Sequence, residues 1–411
     1  MTAPGIAVER LGADYFADPY SVHARLRAQR PVTPVVMPGG PGAWLITGYA
    51  EARAALADPR LSKHMPGWHP EPDSIFSALD LHMLNSDPPD HERLRKLVNK
   101  AFTARRVERL RPRITAITAG LLEDMSAQGA QRGQEAQRGQ GVQPEVDLLA
   151  SFAFPLPITV ICELLGVPAR DRDDFRIWSA TIVSNTAAPE VFQAHATAMI
   201  RYFRALLAAK RREPGDDLLS ALIAARDDED SLSENELVSM AFLLLVAGHE
   251  TTVNLIASGV LALLLNPAEL ARLRTDPALI GSAVEELLRY VNPVNHTTFR
   301  CAAEPVEIGG VRISRGDPVL VALSGANRDP ARFGDPDRLD LGRDGAGHLA
   351  FGHGIHYCLG APLARLEAEI AISGLLARFG SISLAVPPAS LRWRPSTLIH
   401  GLESLPVRLA P

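Results

Sequence analysis

A glycine-rich stretch surrounds one of the three cysteines of this chain. Phe351–Gly360 holds glycine at 352, 354 and 360 and histidine at 353 and 356, together with Cys358. Glycine allows backbone conformations and close approaches that a Cβ would block. Ala361 and Pro362 then open an amphipathic helix, with proline in its first turn. Since Cys358 lies just before this helix, exposed amides and the helix dipole favour a thiolate, which binds a soft metal or attacks an electrophile.

Several roles remain open for Cys358 on these residues alone. A lone cysteine is most often an inert packing residue. A zinc site would use His353, His356 and Cys358, but paired Cys-x-x-Cys spacing and a fourth ligand are lacking. A nucleophile would need His356 as its base, whereas a haem iron would take the thiolate as axial ligand. A phosphate-binding loop is excluded because its third glycine falls where Tyr357 stands.

The pattern Phe351-Gly-x-Gly-x-His-x-Cys358-x-Gly360 resembles the haem-binding signature of the cytochrome P-450 superfamily. The resemblance covers nearly the whole chain and implies a mainly α fold with a minor antiparallel β region, enclosing a haem b. It implies that Cys358 is the axial iron ligand. The implied activity is that of a soluble bacterial monooxygenase, which inserts one atom of O2 into an organic substrate by hydroxylation or epoxidation.

A long apolar helix carries polar residues at its centre, from Ala247 to Thr252. The Thr251 hydroxyl can bond the carbonyl of Ala247, four residues back, while Gly248 leaves room for a small ligand. Glu250 places a carboxylate beside this hydroxyl, so the two could relay protons. The alternative is a core helix with hydrogen-bonded threonines, although a buried glutamate there needs a partner or a function. The stretch resembles the oxygen-binding helix of the family, which often has Asp in place of Glu250, and this implies catalytic roles for Glu250 and Thr251.

Glu286 and Arg289 share one helix face because they lie three residues apart. Most such pairs are surface ion pairs of little energetic weight. The family resemblance instead implies a buried network that supports the haem loop, with Arg338 as its third member.

Haem carries two propionates, whose burial requires cations. His91 and Arg95 lie four residues apart on one predicted helix face. Taken singly, each basic residue is more often a solvated surface charge. The resemblance implies that His91, Arg95, Arg300 and His356 bind the propionates.

The substrate pocket is assigned by the same resemblance, with apolar residues at Leu84, Leu243, Ala247, Val294 and Leu398. They predict a hydrophobic, medium-to-large substrate such as a steroid, a macrolide or another secondary metabolite. No residues remain for an electron-transfer domain, so a separate ferredoxin and ferredoxin reductase are expected. The basic stretch 105–113 is either their docking surface or a solvated helix face.

Hydrophobic periodicity predicts a mostly helical chain. The helices are predicted over Tyr20–Arg30, Pro89–Met125, Asp171–Trp178, Glu190–Arg212, Ser233–Leu265, Asp276–Tyr290 and Pro362–Phe379. Strands are predicted over Val35–Met37, Ala43–Thr47, Val306–Ile313 and Pro318–Leu323. Residues 126–144, rich in Gln, Gly and Arg, are predicted to form a mobile surface insertion. Residues 1–411 are predicted to form one domain.

The composition excludes several classes of protein. With 411 residues, 46% hydrophobic, the chain can build a large core. A net charge of −5 disfavours a nucleic-acid partner. Three cysteines and the lack of a signal-like N-terminus predict a cytoplasmic protein, expected to be a monomer. The apolar stretch Met240–Leu265 is predicted to be a buried helix rather than a membrane anchor, because polar groups occupy its middle. A haem-based gas sensor and a zinc or cysteine hydrolase remain as rival functions.

Overall fold

Helices dominate the computed structural model, which describes residues 7–65, 75–137, 145–184, 186–225, 232–344 and 347–410. The α-helices are α1 (Pro19–Gln29), α2 (Tyr49–Ala57), α3 (Ile75–Asp80), α4 (Asp90–Ala101), α5 (Ala104–Glu108), α6 (Arg111–Gln137), α7 (Pro155–Leu165), α8 (Arg172–Ile182), α9 (Pro189–Arg212), α10 (Leu218–Ala225), α11 (Glu234–Leu265), α12 (Pro267–Thr275), α13 (Ile280–Val291), α14 (Leu323–Ala326) and α15 (Ala361–Arg378). This mainly helical architecture confirms the predicted fold class.

The strands are short. They are β1 (Glu9–Arg10), β2 (Val32–Val36), β3 (Gly42–Ile46), β4 (Leu61–Ser62), β5 (Glu145–Asp147), β6 (Arg300–Ala302), β7 (Val306–Ile308), β8 (Val311–Ile313), β9 (Pro318–Val321), β10 (Ser381–Leu384) and β11 (Pro406–Ala410). The largest sheet has the order β1-β2-β3-β9-β6-β4, and its β1–β2 and β3–β9 pairs are parallel. The β region is therefore minor, as predicted, but mixed rather than purely antiparallel.

Helix α11 forms the centre of the core. Its first turn has the predicted capping box, in which Ser233 and Glu236 each bond the other's backbone amide. Side chains along most of its length are buried, and it packs against α3, α7, α13 and α15. By length and composition alone this helix could cross a membrane, but 78% of its most apolar window is buried inside the protein. The predicted buried helix is confirmed.

The region from residue 89 to residue 137 differs from its prediction. The single helix predicted over Pro89–Met125 is divided into α4, α5 and the start of α6, because Thr103 caps a new helix by accepting from the amide of Arg106. Helix α6 then continues to Gln137, so residues 126–137 are helical, whereas their being a mobile insertion stays a prediction. Alanine, glutamine and arginine are good helix formers, and this local preference outweighs the lack of apolar residues. Residues 138–144 lie outside the described part of the chain.

Helices α13 and α15 come before and after the cysteine loop in the sequence. Helix α13 ends at Val291, before Pro293 as predicted, with Asn292 in a left-handed conformation at a φ of +35°. Helix α15 begins immediately after the cysteine loop and packs against α6, α11 and α13. The loop therefore leads directly into a helix that packs against the core helix α11.

Candidate functional site

The cysteine loop is shaped by close backbone contacts. Gly354 has a φ of +74°, and a Cβ there would lie 2.8 Å from the carbonyl oxygen of Leu56. Any other residue would therefore be strained and would push α2 away. The backbone N–H of Cys358 donates to the carbonyl of Phe351 at 2.9 Å, which closes the loop. The sulfur is presented just before the first turn of α15.

The thiol of Cys358 is accessible, yet burial among protein atoms raises its pKa. This combination places the sulfur in a recess rather than on the outer surface. The amides of Gly360 and Ala361, with the charges of Arg95 and Arg365, lower the pKa as the sequence predicts, but burial has the larger effect. In the polypeptide alone, burial therefore favours the thiol over the predicted thiolate. A bound metal cation would stabilise the thiolate, as expected of an iron ligand rather than a free nucleophile.

The alternatives that use neighbouring histidines are not supported. The pKa of His356 is lowered to about 2 by burial and by the basic side chains around it, so its ring is a weak base near neutral pH. Among the residues described in the structure, no three or more His, Cys, Asp or Glu side chains are grouped to hold a metal ion. The zinc site with His353 is therefore not formed, and the cysteine–histidine nucleophile lacks an effective base.

The four basic residues predicted to bind propionates surround one region beside the loop. The rings of His91 and His356 meet edge to face, with centroids 4.5 Å apart. Arg95 donates from Nη2 to the carbonyl of Tyr357 at 2.6 Å. Both ring nitrogens of His91 and Nε of Arg300 are buried without a hydrogen-bond partner in the described structure. Buried polar nitrogens without partners need a hydrogen-bonding partner, and haem propionates would satisfy them.

Helix α11 presents an opening at its centre. Thr251 donates from Oγ1 to the carbonyl of Ala247 at 2.9 Å, which confirms the predicted bond. Ala247 is exposed and Thr251 half-buried, although most of this helix is buried. Gly248 has another role than the predicted one, since a Cβ there would lie 2.8 Å from Cδ1 of Ile161. It permits close packing of α7 against α11, so the opening lies at Ala247 and Thr251.

Glu250 is buried and fully engaged by its own partners. Its carboxylate accepts from Nη2 of Arg394 at 3.1 Å and from Oγ of Ser179 at 3.2 Å, and Nε2 of His249 lies 3.6 Å away. Burial would raise its pKa, but His249 and Arg394 outweigh this effect and lower the pKa to about 2. Because adjacent helix positions face different directions, Glu250 and Thr251 have separate partners in the described structure, and the proton relay through both residues stays a prediction.

The predicted network around Glu286 is formed, but Arg343 takes the place predicted for Arg338. Both Glu286 and Arg289 are fully buried, and two bonds of 2.8 Å join them. Arg343 donates from Nε to Glu286 at 3.2 Å and completes the network. The prediction that the side chain of Arg338 does so is wrong. Its side chain is exposed and pairs with Asp340 at 2.7 Å, and only its backbone carbonyl accepts from Arg289 and Arg343.

Comparisons with known proteins agree with this geometry. Residues 175–393 match the family model described as Cytochrome P450. The chain is 51% identical over 413 residues to Cytochrome P450 107B1 of Saccharopolyspora erythraea, with 96% of each protein covered. The chain belongs to the cytochrome P450 family. It is also 47% identical over 416 residues to 6-deoxyerythronolide B hydroxylase of the same organism, covering 98% of this chain and 99% of that one. The tirandamycin C-bound P450 monooxygenase TamI matches with a TM-score of 0.88 and 51% identity, covering 98% and 100%.

Membership of this family makes the protein a P450 monooxygenase that takes a haem. The residues present fit such a group on two sides. Cys358 offers one accessible sulfur before a helix, and the basic cluster offers unpartnered nitrogens for carboxylates. The roles of the individual residues remain predictions.

The predicted pocket residues lie on three parts of the P450. Leu243 and Ala247 are on α11, and Leu84 follows α3, which packs against α11. Val294 and Leu398 lie on neighbouring segments, since Val294 pairs with Ile399 in an isolated bridge. Leu84, Val294 and Leu398 are half-buried, as expected of residues beside an internal space. Residues 66–74, which come before Leu84 in the sequence, lie outside the described chain.

Four residues around the site were not anticipated from the sequence. Arg343 completes the buried network, and Arg394 neutralises Glu250. Glu285 joins α13 to α15 through Arg365 at 2.6 Å. Lys63 is buried beside the basic cluster. Each of these side chains contacts a residue that is far away in the sequence, so no local spacing pattern could predict the contact.

Proposed function

We propose that this P450 uses a b-type haem to hydroxylate or epoxidise a hydrophobic, medium-to-large secondary metabolite. The observation that carries the proposal is the recessed thiol of Cys358 beside basic side chains whose buried nitrogens lack partners. In this assignment Cys358 holds the iron, and His91, Arg95, Arg300 and His356 hold the carboxylates. The bound haem supplies oxygen activation, which its thiolate ligand favours by pushing electron density toward the iron.

The polypeptide orients substrate and manages protons around that cofactor. The Thr251 hydroxyl donates to Ala247 and keeps lone pairs that can accept a proton, so it can pass protons at the opening of α11. Glu250 is ionised near neutral pH because its pKa is about 2. It can therefore receive protons through Ser179 or His249, and it passes them on after its contact with Arg394 loosens. Glu250 and Thr251 thus transfer protons through separate contacts rather than through a hydrogen bond to each other.

The proposed substrate class rests on the pocket and on the relatives. The proposed lining is apolar at Leu84, Leu243, Ala247, Val294 and Leu398, which favours a hydrophobic molecule. One relative is named for hydroxylation of 6-deoxyerythronolide B, and a matching structure contains tirandamycin C. Both names support a sizeable natural product as substrate, of a kind still to be identified.

Electrons are proposed to come from a separate ferredoxin and its reductase. In the stretch 105–113, Arg106, Arg111 and Arg113 pair with Asp216, Glu108 and Glu163, so this surface is largely neutralised. A groove of about 590 Å³ lies directly beside the cysteine loop and is lined by His91, Glu92, Arg95, Lys96, Asn99, Lys100 and Ile355. Its two exposed lysines, Lys96 and Lys100, suit an acidic ferredoxin. We therefore assign docking to this groove rather than to the stretch 105–113.

We further propose that residues 1–411 form one domain that acts as a monomer in the cytoplasm. Cys162 and Cys301 are buried free thiols, which suits a reducing compartment. Burial raises the pKa of both, to about 12 for Cys162, so they are packing residues rather than nucleophiles.

The proposed reaction is tested with the holoenzyme, a ferredoxin, its reductase and labelled dioxygen. Hydrophobic natural products are first screened for spectral shifts of the haem on binding. A compound that binds is expected to gain one labelled oxygen atom, because one atom of O2 enters the product. Mass spectrometry of the product measures this. Oxygen drawn from water, or binding without any oxygenated product across the hits, would contradict the proposal.

A further inference from the structure

The strand register places two basic side chains opposite each other beside the propionate cluster. Strands β4 and β6 are antiparallel, with Leu61 opposite Ala302 and Ser62 opposite Cys301. One step further along this register, Lys63 faces Arg300. Like charges directly opposite each other are destabilising in a sheet. Both side chains are nonetheless buried, so this arrangement requires a nearby anion.

Within the part of the chain that the structure describes, too little negative charge lies near this pair to neutralise it. Asp87 is the carboxylate that acts on both Lys63 and Arg300. Its oxygens already accept from the hydroxyl of Ser62 and from the backbone N–H of Lys63, at 3.0 Å for the latter. Nζ of Lys63 donates to Oγ1 of Thr298, a neutral group. The other ionisable groups that act on Lys63 among the described residues are His82 and His356.

We propose that Lys63 is a fifth basic residue that binds the haem carboxylates, acting with Arg300 across the end of the sheet. This inference rests on the proposed b-type haem, which carries the two carboxylates. The backbone of Lys63 is fixed by Asp87, so its ammonium group is held in place before the cofactor arrives. Lys63 is therefore a cofactor-binding residue that no family pattern in the sequence indicated.

Lys63 gives haem binding a distinctive pH dependence. Burial and the charge of Arg300 lower its pKa to about 7, and Asp87 raises it only in part. A carboxylate beside Lys63 raises this pKa, so binding takes up a proton. Affinity is therefore full below about pH 7 and falls above it, by up to about tenfold per pH unit. The histidines that face Lys63, His82 and His356, have pKa values of about 4 and about 2, so both stay neutral in this range.

The test uses the full-length chain freed of haem and titrated with metal-free protoporphyrin IX, which keeps the carboxylates but cannot bind the thiol. Between about pH 7 and pH 9 the wild-type affinity is expected to fall. Lys63→Gln is expected to bind about tenfold more weakly at low pH and without pH dependence. Lys63→Arg should restore affinity while abolishing the pH dependence, because arginine stays charged. The exposed Arg312→Gln should match wild type, and the dimethyl ester of the porphyrin should bind wild type and Lys63→Gln equally.

A second measurement uses the holoenzyme, in case the haem-free chain does not fold. Haem transfer to excess apomyoglobin is expected to be about tenfold faster for Lys63→Gln than for wild type or Arg312→Gln. Equal transfer rates, or a pH dependence that persists in Lys63→Gln, would overturn the inference. If that happens while the thiolate–haem spectrum is intact, only the role of Lys63 fails. A missing thiolate–haem spectrum in the wild type would instead refute the proposed function.

Discussion

Replacing Arg289 by Met is expected to destabilise the protein by about 3–5 kcal/mol, because it leaves the buried carboxylate of Glu286 without its bidentate partner. Both side chains are fully buried, and without Arg289 the carboxylate keeps only one bond from Arg343 at 3.2 Å and one from the backbone N–H of Asp340 at 3.0 Å. Arg289 also donates to the carbonyls of Asn327 and Pro336, so its loss frees two further backbone acceptors. Since Asn327 accepts from the amide of Leu349, the disturbance reaches the segment before the cysteine loop.

The thermal unfolding midpoint and the haem content per chain measure this effect. Arg338→Met is the matched control, since Arg338 is an exposed arginine beside the same network. We expect the Arg289 variant to unfold at a much lower temperature and to be recovered with little haem. Arg289→Lys should be intermediate, because lysine keeps the charge but loses the bidentate geometry. If Arg289→Met and Arg338→Met have the same thermal unfolding midpoint, the network does not support the loop.

Thr251→Ala is expected to uncouple electron use from product formation. The hydroxyl lies at the opening of α11, so its loss removes the group that we assign to proton transfer there. General acid–base groups typically contribute about 10²–10⁴-fold to a rate, so product formed per electron pair should fall at least tenfold. Reductant consumption should continue, because neither Cys358 nor the docking groove is altered.

Parallel measurement of reductant consumed, product formed and peroxide released separates this effect from a folding defect. Thr251→Ser, which keeps the hydroxyl, should restore most of the coupling. Thr275→Ala is a matched control on α12, because Thr275 makes the same bond to the carbonyl four residues back, Ala271, at 2.9 Å. Coupling unchanged in Thr251→Ala would remove this residue from the mechanism.

Features that depend on local spacing were predictable from the sequence. The capping box at Ser233 and Glu236, the bond from Thr251 to Ala247 and the end of α13 before Pro293 all arise within a few residues of chain. The cysteine loop is equally local, since its glycines, Cys358 and the start of α15 are contiguous. Local patterns of this kind carry their own geometry.

Features that depend on tertiary contacts were predicted less well. Arg343 and Arg338 lie in one turn-rich segment, and only the fold determines which side chain turns inward to Glu286. The pKa of Cys358 depends on how closely the protein packs around it, which helix-terminus reasoning omits. The sequence suggested that Gly248 leaves room for a small ligand. In the structure, the close packing of Ile161 against α11 is what requires glycine at this position. The parallel strand pairs likewise join segments far apart in the chain.

The central claim is that Cys358 is the thiolate ligand of a haem iron. The reduced, carbon-monoxide-bound difference spectrum of the purified holoenzyme tests it most directly. Wild type and Cys301→Ala, which removes a buried packing thiol, are predicted to show the red-shifted thiolate–haem band, whereas Cys358→Ala should lack it. Haem-loaded wild-type protein without this band, or a band that survives in Cys358→Ala, would contradict the account.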